Sequence, residues 1–309
     1  MTQEAISLNG VFAVPPLART ADSCRSIDFE KNARIVRHIA GGGIRRLIYG
    51  GNAFFYHVTL REYEQILEWQ HHLQRDGLWF IVSAGPSFGR LMDQAPLLRR
   101  FGVSCVMVLP CADPRDPAGI GQGLREFVEA SGTRFLAYVK EESNLGADLE
   151  RGLDMLGGLV DDGLCIGIKY AVVRQNPRVD PYLQALLQRV DRGKVISGIG
   201  ERPAVIHLRD CGLTGFTTGS GCVAPAQSAA ILTACERGDF AEAEQLREHF
   251  LDLEDMRDKW GPPRVLHHAV ELAGIARTGA IPPFVSPLSA DQQKCIQPVV
   301  QELVARERK

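Results

Sequence analysis

The 309-residue sequence contains no apolar run of about 18 residues, so no helix in it is expected to span a bilayer. Net charge is almost absent: 35 Lys and Arg stand against 37 Asp and Glu, giving −2 at pH 7. Such a chain has no global electrostatic attraction to nucleic acid or to an anionic membrane, and neither is expected as a partner. No two cysteines have CxxC spacing, and no His/Cys cluster has zinc spacing. His71-His72 and His267-His268 are neighbours in sequence, which on a helix points them about 100° apart and away from one shared metal. The eight cysteines are scattered, several in apolar runs such as VSCVMVL around Cys105, so they are expected to be small buried hydrophobes rather than disulfides. Low-complexity segments and long linkers are missing too. The opening Met1-Thr2-Gln3-Glu4 is not a basic segment leading into an apolar one, so the expected location is cytoplasmic. What is there is ordinary: 45% apolar and 23% charged residues, enough for one large α/β domain or two smaller ones.

Eight short apolar runs alternate with longer amphipathic stretches. The strand candidates are Gly10–Val14, Leu47–Gly50, Phe80–Ser83, Val103–Leu109, Phe135–Val139, Cys165–Lys169, Val195–Gly198 and Gly215–Thr218. Several are apolar nearly throughout, as parallel strands covered on both faces are. Helical patterns cover Asp28–Ala40, Thr59–Asp76, Ala147–Val160 and Pro181–Val190, and Thr59 with Glu62 forms a capping-box pattern. Eight βα units favour a closed (β/α)8 barrel over an open doubly wound sheet. The open sheet would normally show a phosphate-binding fingerprint, but Gly198-Ile-Gly200-Glu-Arg-Pro203 comes late and has proline at the third glycine position. After Pro225 the strand signals stop, and helices are expected over Pro225–Arg237, Phe240–Lys259, Pro263–Ala273 and Ser289–Glu307, with Asp239 and Ser289 as N-caps. The expected organisation is a barrel over residues 1–225 and a C-terminal helical bundle over 226–309, packed on the barrel.

In such a barrel, chemistry sits where the strands end. The sixth strand ends in IGIKYAVV, one lysine in an apolar octet. Burial disfavours an ammonium ion and frees the amine that a Schiff base needs, so Lys169 is a candidate nucleophile; the bland alternative is a lysine that snorkels into solvent. Lys140 is its rival, but Glu141 and Glu142 follow at once and favour the charged form and a surface ion pair. The second strand leads into Gly50-Gly51-Asn52-Ala53-Phe54, whose consecutive amides suit a carboxylate. The eighth leads into Thr217-Thr218-Gly219-Ser220-Gly221, which suits a carboxylate, a phosphate or a sugar hydroxyl. Either loop is equally well a simple turn.

Together these segments resemble the dihydrodipicolinate synthase / N-acetylneuraminate lyase family of class I aldolases. Gly10-Val-Phe-Ala-Val-Pro-Pro16 is similar to the family's opening strand and TPF-like turn. GIKYA is similar to its GIKEA or GIKDS, and GIARTGAIPPFVSPL over Gly274–Leu288 to its C-terminal pattern, with Ala280 in place of the usual Arg. The resemblance spans nearly the whole chain. It implies a (β/α)8 barrel with a C-terminal helical extension, usually assembled as a homotetramer. It also implies a Schiff base between Lys169 and the ketone of pyruvate or another 2-oxo acid. The family's substrate-carboxylate loop maps onto Gly50–Phe54, with Asn52, Ala53 and Phe54 in place of Thr, Gly and Glu; Gly51 and Asn52 then hold the carboxylate. Phe55, Thr59 and Tyr63 are similar to the GGTGEFFSLTPEEY loop of dehydratases that act on 4-deoxy-5-oxo-sugar acids. The family's GVISVTANVAP maps onto GFTTGSGCVAP, so that Thr217 lines the bound oxo acid.

The main departure is at strand four. The family's proton-relaying Tyr in a PYYN-like turn is replaced by Pro110-Cys111-Ala112-Asp113. Loss of a general acid/base costs about 10²–10⁴-fold unless another group replaces it. Tyr138, ending the adjacent strand five, is the preferred replacement; Tyr49, Asp113 or a water are the alternatives. The expectation is a lyase that performs aldol cleavage, condensation or dehydration through an iminium, with no metal or diffusible cofactor, because the protonated imine polarises the substrate. Dihydrodipicolinate synthase activity itself is disfavoured. The alternative is a catalytically impaired paralogue that binds or senses a 2-oxo acid.

Overall fold

The computed structural model describes residues 7–73 and 77–308. Eight strands form a closed parallel barrel in sequence order. They are β1 Gly10–Ala13, β2 Arg46–Tyr49, β3 Trp79–Ala84, β4 Cys105–Val108, β5 Arg134–Val139, β6 Cys165–Tyr170, β7 Val195–Ser197 and β8 Gly215–Thr218. Each lies within two residues of its expected bounds. The helices among the described residues are α1 Phe29–Gly41, α2 Leu60–Leu73, α3 Phe88–Phe101, α4 Pro117–Ser131, α5 Leu149–Asp161, α6 Pro181–Leu187, α7 Ala204–Asp210, α8 Pro225–Glu236, α9 Phe240–Trp260, α10 Pro262–Leu272 and α11 Ala290–Glu307. The fold is thus a (β/α)8 barrel in which the last strand is followed by four helices. The expected end of the second helix, at Asp76, lies outside the described residues.

The helix starts follow from side-chain capping. Asp28 accepts the amide of Lys31, Asp239 that of Glu242 and Ser289 that of Gln292, each satisfying an N–H that the first turn leaves without a partner. Thr59 and Glu62 close the capping box: the Thr59 amide donates to Glu62 Oε2 at 2.9 Å, and the Glu62 amide to Thr59 Oγ1 at 3.2 Å.

By contact the chain divides into two compact units. The first comprises the chain up to Gly10, Val82–Ile199 and Ile206–Phe216; its core includes Val106, Leu136, Ile168 and Ile196. The second comprises Val11–Ile81, Gly200–Val205 and Thr217–Lys309. An aromatic layer of Tyr49, Trp69 and Phe80 packs there between strands and α2. All eight cysteines are free thiols. Cys105, Cys165 and Cys222 are buried as expected, but Cys24 and Cys295 are exposed, because they fall in a surface loop and on the outer side of α11 rather than in strands. Among the described residues no helix is long and apolar enough to cross a membrane.

Candidate active site

Lys169 sits one residue before the end of β6, in register with Tyr138 on β5 and Ile196 on β7. Only 5% of it is exposed. Its Nζ lies over the Tyr138 ring, 4.1 Å from the centroid, the arrangement of a cation on a π face. The stem of the lysine passes Gly198: a Cβ there would come within 2.9 Å of Lys169 Cγ and 2.6 Å of the Tyr170 carbonyl oxygen. Gly198→Ala is therefore expected to displace Lys169 and lower any amine-dependent activity by at least about tenfold, since small misplacements act strongly on chemistry. Activity unchanged beside a normally folded variant would disprove the constraint.

The segment after β6 is tied down by polar groups that sequence spacing did not connect. Tyr170 Oη donates to Asp180 Oδ2 at 2.7 Å, while Arg174 Nη2 bridges Asp180 Oδ1, at 2.9 Å, and Glu142. Burial, and then Asp180, push the Tyr170 phenol far above its ordinary range. The hydrogen bond to Asp180 does the same for the Arg174 guanidinium. Lys140, the rival amine, is exposed, and its amide joins the Asn144 side chain at 2.8 Å. The turn after β4 leaves Asp113 exposed, with the Cys111 thiol donating to its carboxylate at 3.6 Å.

In the second unit, the loop after β2 makes a 3-10 turn over Gly51–Ala53. The amides of Ala53, Phe54 and Phe55 close the turn on the carbonyls of Gly50 and Gly51. A 3-10 helix leaves its first amides without an intrahelical partner, here those of Gly51 and Asn52. A Cβ at Gly51 would meet nothing within 4 Å, so the space beside that amide is open. The Asn52 side chain, by contrast, is buried and donates to the Val14 carbonyl at 2.7 Å, locking the loop to β1. From α10, His267 Nε2 reaches the Asn52 carbonyl at 3.2 Å, and its ring lies 5.1 Å from that of Phe54. Sequence reasoning missed His267, since only chain folding brings it to this loop. Burial pushes its pKa down to about 3. Thr217 is buried in β8 and alternates with Phe216 and Thr218. Tyr49 stacks on Phe80 at 4.6 Å and meets Trp69 edge-on, which places it in the layer against α2; burial pushes its phenol well above 10.

Next to Thr217 the second unit buries a cluster of charge. Glu201, fully buried, accepts hydrogen bonds at Oε1 from Thr218 Oγ1 and from Ser228 Oγ, the latter at 2.8 Å. Its Oε2 is buried with no hydrogen-bond partner among the described residues. Glu254 and Arg257 of α9 pair at 2.5 Å, and both contact Ser220 Oγ. Burial first, and the Glu254 charge second, raise the Glu201 carboxyl to about 7. A carboxyl held above its unfolded value of 4.5 contributes stability that is full below 4.5 and is lost as pH rises through 7. His207 and His267, depressed to about 4 and about 3, act in the opposite sense, and their contribution is lost as pH falls below 6.5. The histidine contributions are common to the wild type and a Glu201→Gln variant, so the difference between the two proteins isolates Glu201. Urea unfolding between about pH 5 and 7.5 should show the wild type losing stability relative to Glu201→Gln as pH rises; parallel curves for the two proteins would refute the assignment.

The family model described as the dihydrodipicolinate synthetase family matches residues 10–303. The chain belongs to this family. Its known members are lyases built on this barrel. Among solved structures it resembles dihydrodipicolinate synthase from Bacillus clausii, at 20% identity and a TM-score of 0.83, covering 99% of this chain and 100% of that one. The enzyme from Oceanobacillus iheyensis matches at 23% identity and a TM-score of 0.79, covering 97% of each chain. That from Thermotoga maritima matches at 18% identity and a TM-score of 0.80, covering 96% of this chain and 99% of that one. At such identities the likeness establishes the fold. No curated protein matches the chain.

Proposed function

We propose that the protein is a Schiff-base-forming lyase acting on pyruvate or another 2-oxo acid. The observation that carries this reading is a lysine, almost fully buried beside Tyr138, at the C-terminal end of a barrel strand in a chain of this family. The Lys169 amine adds to the C2 ketone, and loss of water gives an iminium. That iminium draws electrons from C3, so a C3 proton or a C3–C4 bond is released to form an enamine. Aldol cleavage, condensation and dehydration all pass through this species. The roles left to the other candidates are carboxylate binding by the amides of Gly51 and Asn52, and lining by Thr217. With the Asn52 side chain engaged on Val14, its contribution is the backbone amide.

Incubation with pyruvate and borohydride tests the reading: intact mass should rise by one reduced pyruvate, localised to Lys169. No adduct with pyruvate or with a panel of longer 2-oxo acids would sink it. The proton carrier is a separate question. Tyr138 stands beside Lys169 and the strand-four turn has no phenol. Tyr138→Phe keeps the ring face and removes the hydroxyl. It is expected to leave adduct formation intact and lower turnover by about 10²–10⁴-fold. Turnover unaffected by the change would leave Tyr138 as a packing partner only. The second reading, a paralogue that binds a 2-oxo acid without turning it over, is favoured by the same missing phenol. It predicts the adduct without turnover in the wild type.

A further inference from the structure

In the second unit the loop after β2 is held from two sides. Gly51–Ala53 form a single 3-10 turn, and Phe54 caps it in the left-handed region, at φ 53°. A residue with a Cβ adopts that conformation at a cost, and only where its surroundings impose it. The left-handed residue folds the chain back, so that the Phe55 amide bonds the Gly50 carbonyl, at 3.2 Å, and not that of Asn52, three residues before it. The Asn52 carbonyl is thereby turned away from the hydrogen bonds of its own turn. It is met by His267 of α10, whose Nε2 stands 3.2 Å away. A carbonyl only accepts, so Nε2 carries the ring proton and donates. The Asn52 side chain, donating to the Val14 carbonyl at 2.7 Å, ties the same residue to β1. One residue of the loop is thus clamped to a strand through its side chain and to a C-terminal helix through its backbone.

Packing alone does not account for a histidine at 267. The residue is 1% exposed, and burial keeps its ring neutral. Its Nδ1 is buried and meets no hydrogen-bond partner among the described residues. An unpaired buried nitrogen is unfavourable, and a phenylalanine or leucine of similar bulk would fill the space without one. What those residues lack is the donor to Asn52. The ring also lies 5.1 Å from that of Phe54, tilted by 48°, so the same side chain covers the left-handed residue. The end of α10 is itself fixed: Thr278 Oγ1 donates to the His267 carbonyl at 3.1 Å, and the Arg19 amide to the Thr278 carbonyl at 2.9 Å.

We propose that His267 is a positioning residue for the substrate carboxylate: by holding the Asn52 carbonyl and the Phe54 ring, it keeps the Gly51 and Asn52 amides directed at one anion. The inference rests on the reading of this loop as the carboxylate site. His267 touches no reacting atom. It governs how tightly a carboxylate is held, and not how fast an amine adds to a ketone.

The test sets His267→Phe, which keeps a ring and removes the donor, against His267→Gln, which restores an N–H at similar reach. Borohydride trapping over a range of pyruvate concentrations gives a half-saturating concentration and a maximal rate for each protein. His267→Phe should raise the half-saturating concentration by about tenfold or more, the scale of one charge-assisted hydrogen bond, and change the maximal rate by less than about twofold. His267→Gln should recover most of the loss. Methyl pyruvate has the ketone without the charge, and its half-saturation should not respond to either substitution. Equal weakening of pyruvate and methyl pyruvate would overturn the proposal, since the histidine would then only support the fold. So would unchanged pyruvate saturation in His267→Phe, or a glutamine variant as weak as the phenylalanine one. If His267→Phe does not fold, His267→Leu takes its place. Oxamate separates this inference from the Schiff-base reading, because it has the carboxylate and planar shape of pyruvate and forms no imine. In ligand-observed NMR it should bind the wild type, and bind His267→Phe about tenfold more weakly, whether or not any adduct is trapped. Absence of oxamate binding to the wild type, or equal binding to both proteins, would overturn the role of His267 even beside a trapped adduct at Lys169.

Discussion

Lys169→Met should remove the borohydride-trapped adduct completely and lower turnover of any 2-oxo acid substrate by roughly 10⁴–10⁶-fold, the scale on which loss of a covalent nucleophile acts. Methionine keeps the length and apolar contacts of the lysine stem and lacks the amine. Lys169 is 5% exposed and packs on Tyr138, so the substitution also removes a buried polar group, and the fold should tolerate it. Lys169→Arg is the sharper companion. A guanidinium places a charge over the Tyr138 ring yet forms no Schiff base. If charge alone served catalysis, the arginine variant would retain activity; the covalent route requires it to be as dead as the methionine variant. Substantial turnover in either variant, on a substrate the wild type uses, would end the covalent mechanism.

The barrel was legible in the sequence because its strands are buried on both faces. Runs such as VSCVMVL and CIGIKY carry little polar interruption, and all eight strands fall near where such runs occur. The helices that patterning passed over have identifiable causes. Pro96 interrupts α3, and Gly119, Gly121 and Gly123 weaken the apolar stripe of α4, where they face Asp116, Met155 and Phe88 in turn. α7, at seven residues, is too short for a period to show. Lys169 stood out because one charge in an apolar octet is a local signal. The supports around the candidate residues are not local. Asn52 meets Val14 and His267, and Glu201 meets Thr218 and Ser228 and feels the charges of Glu254 and Arg257, across separations that no spacing rule connects. The Gly198-Ile-Gly200-Glu201 segment shows the limit well. As a phosphate fingerprint it fails, and its glycine pattern gives no hint that Gly198 makes room for Lys169, or that Glu201 is a buried acid beside Thr217.

Beside that buried acid, Arg257 is a buried cation with two carboxyl groups near it. It is 9% exposed, and its Nη1 donates to Glu254 Oε1 and, at 3.1 Å, to Ser220 Oγ. Room for it exists only because residue 219 is glycine: a Cβ there would lie 2.3 Å from the guanidinium. Removing one member of a buried ion pair leaves the other charge without compensation, which costs about 3–5 kcal/mol. Arg257→Met should therefore destabilise the protein by about that amount in urea unfolding at pH 7. The double variant Glu254→Met/Arg257→Met should recover most of the loss, because an apolar pair of similar volume carries no desolvated charge. The pH dependence supplies an independent sign. Arg257 draws the Glu201 carboxyl down, against the burial and the Glu254 charge that raise it. Without the guanidinium, Glu201 should hold its proton to higher pH. The fall in stability that Glu201 contributes, read as the difference from the matching Glu201→Gln protein, should then shift to higher pH in Arg257→Met. In the double variant both neighbouring charges are gone, and burial set against the Thr218 and Ser228 hydrogen bonds fixes the position. A loss below about 1 kcal/mol in the single variant, or an unmoved pH profile, would mean that solvent rather than Arg257 compensates the two carboxyls.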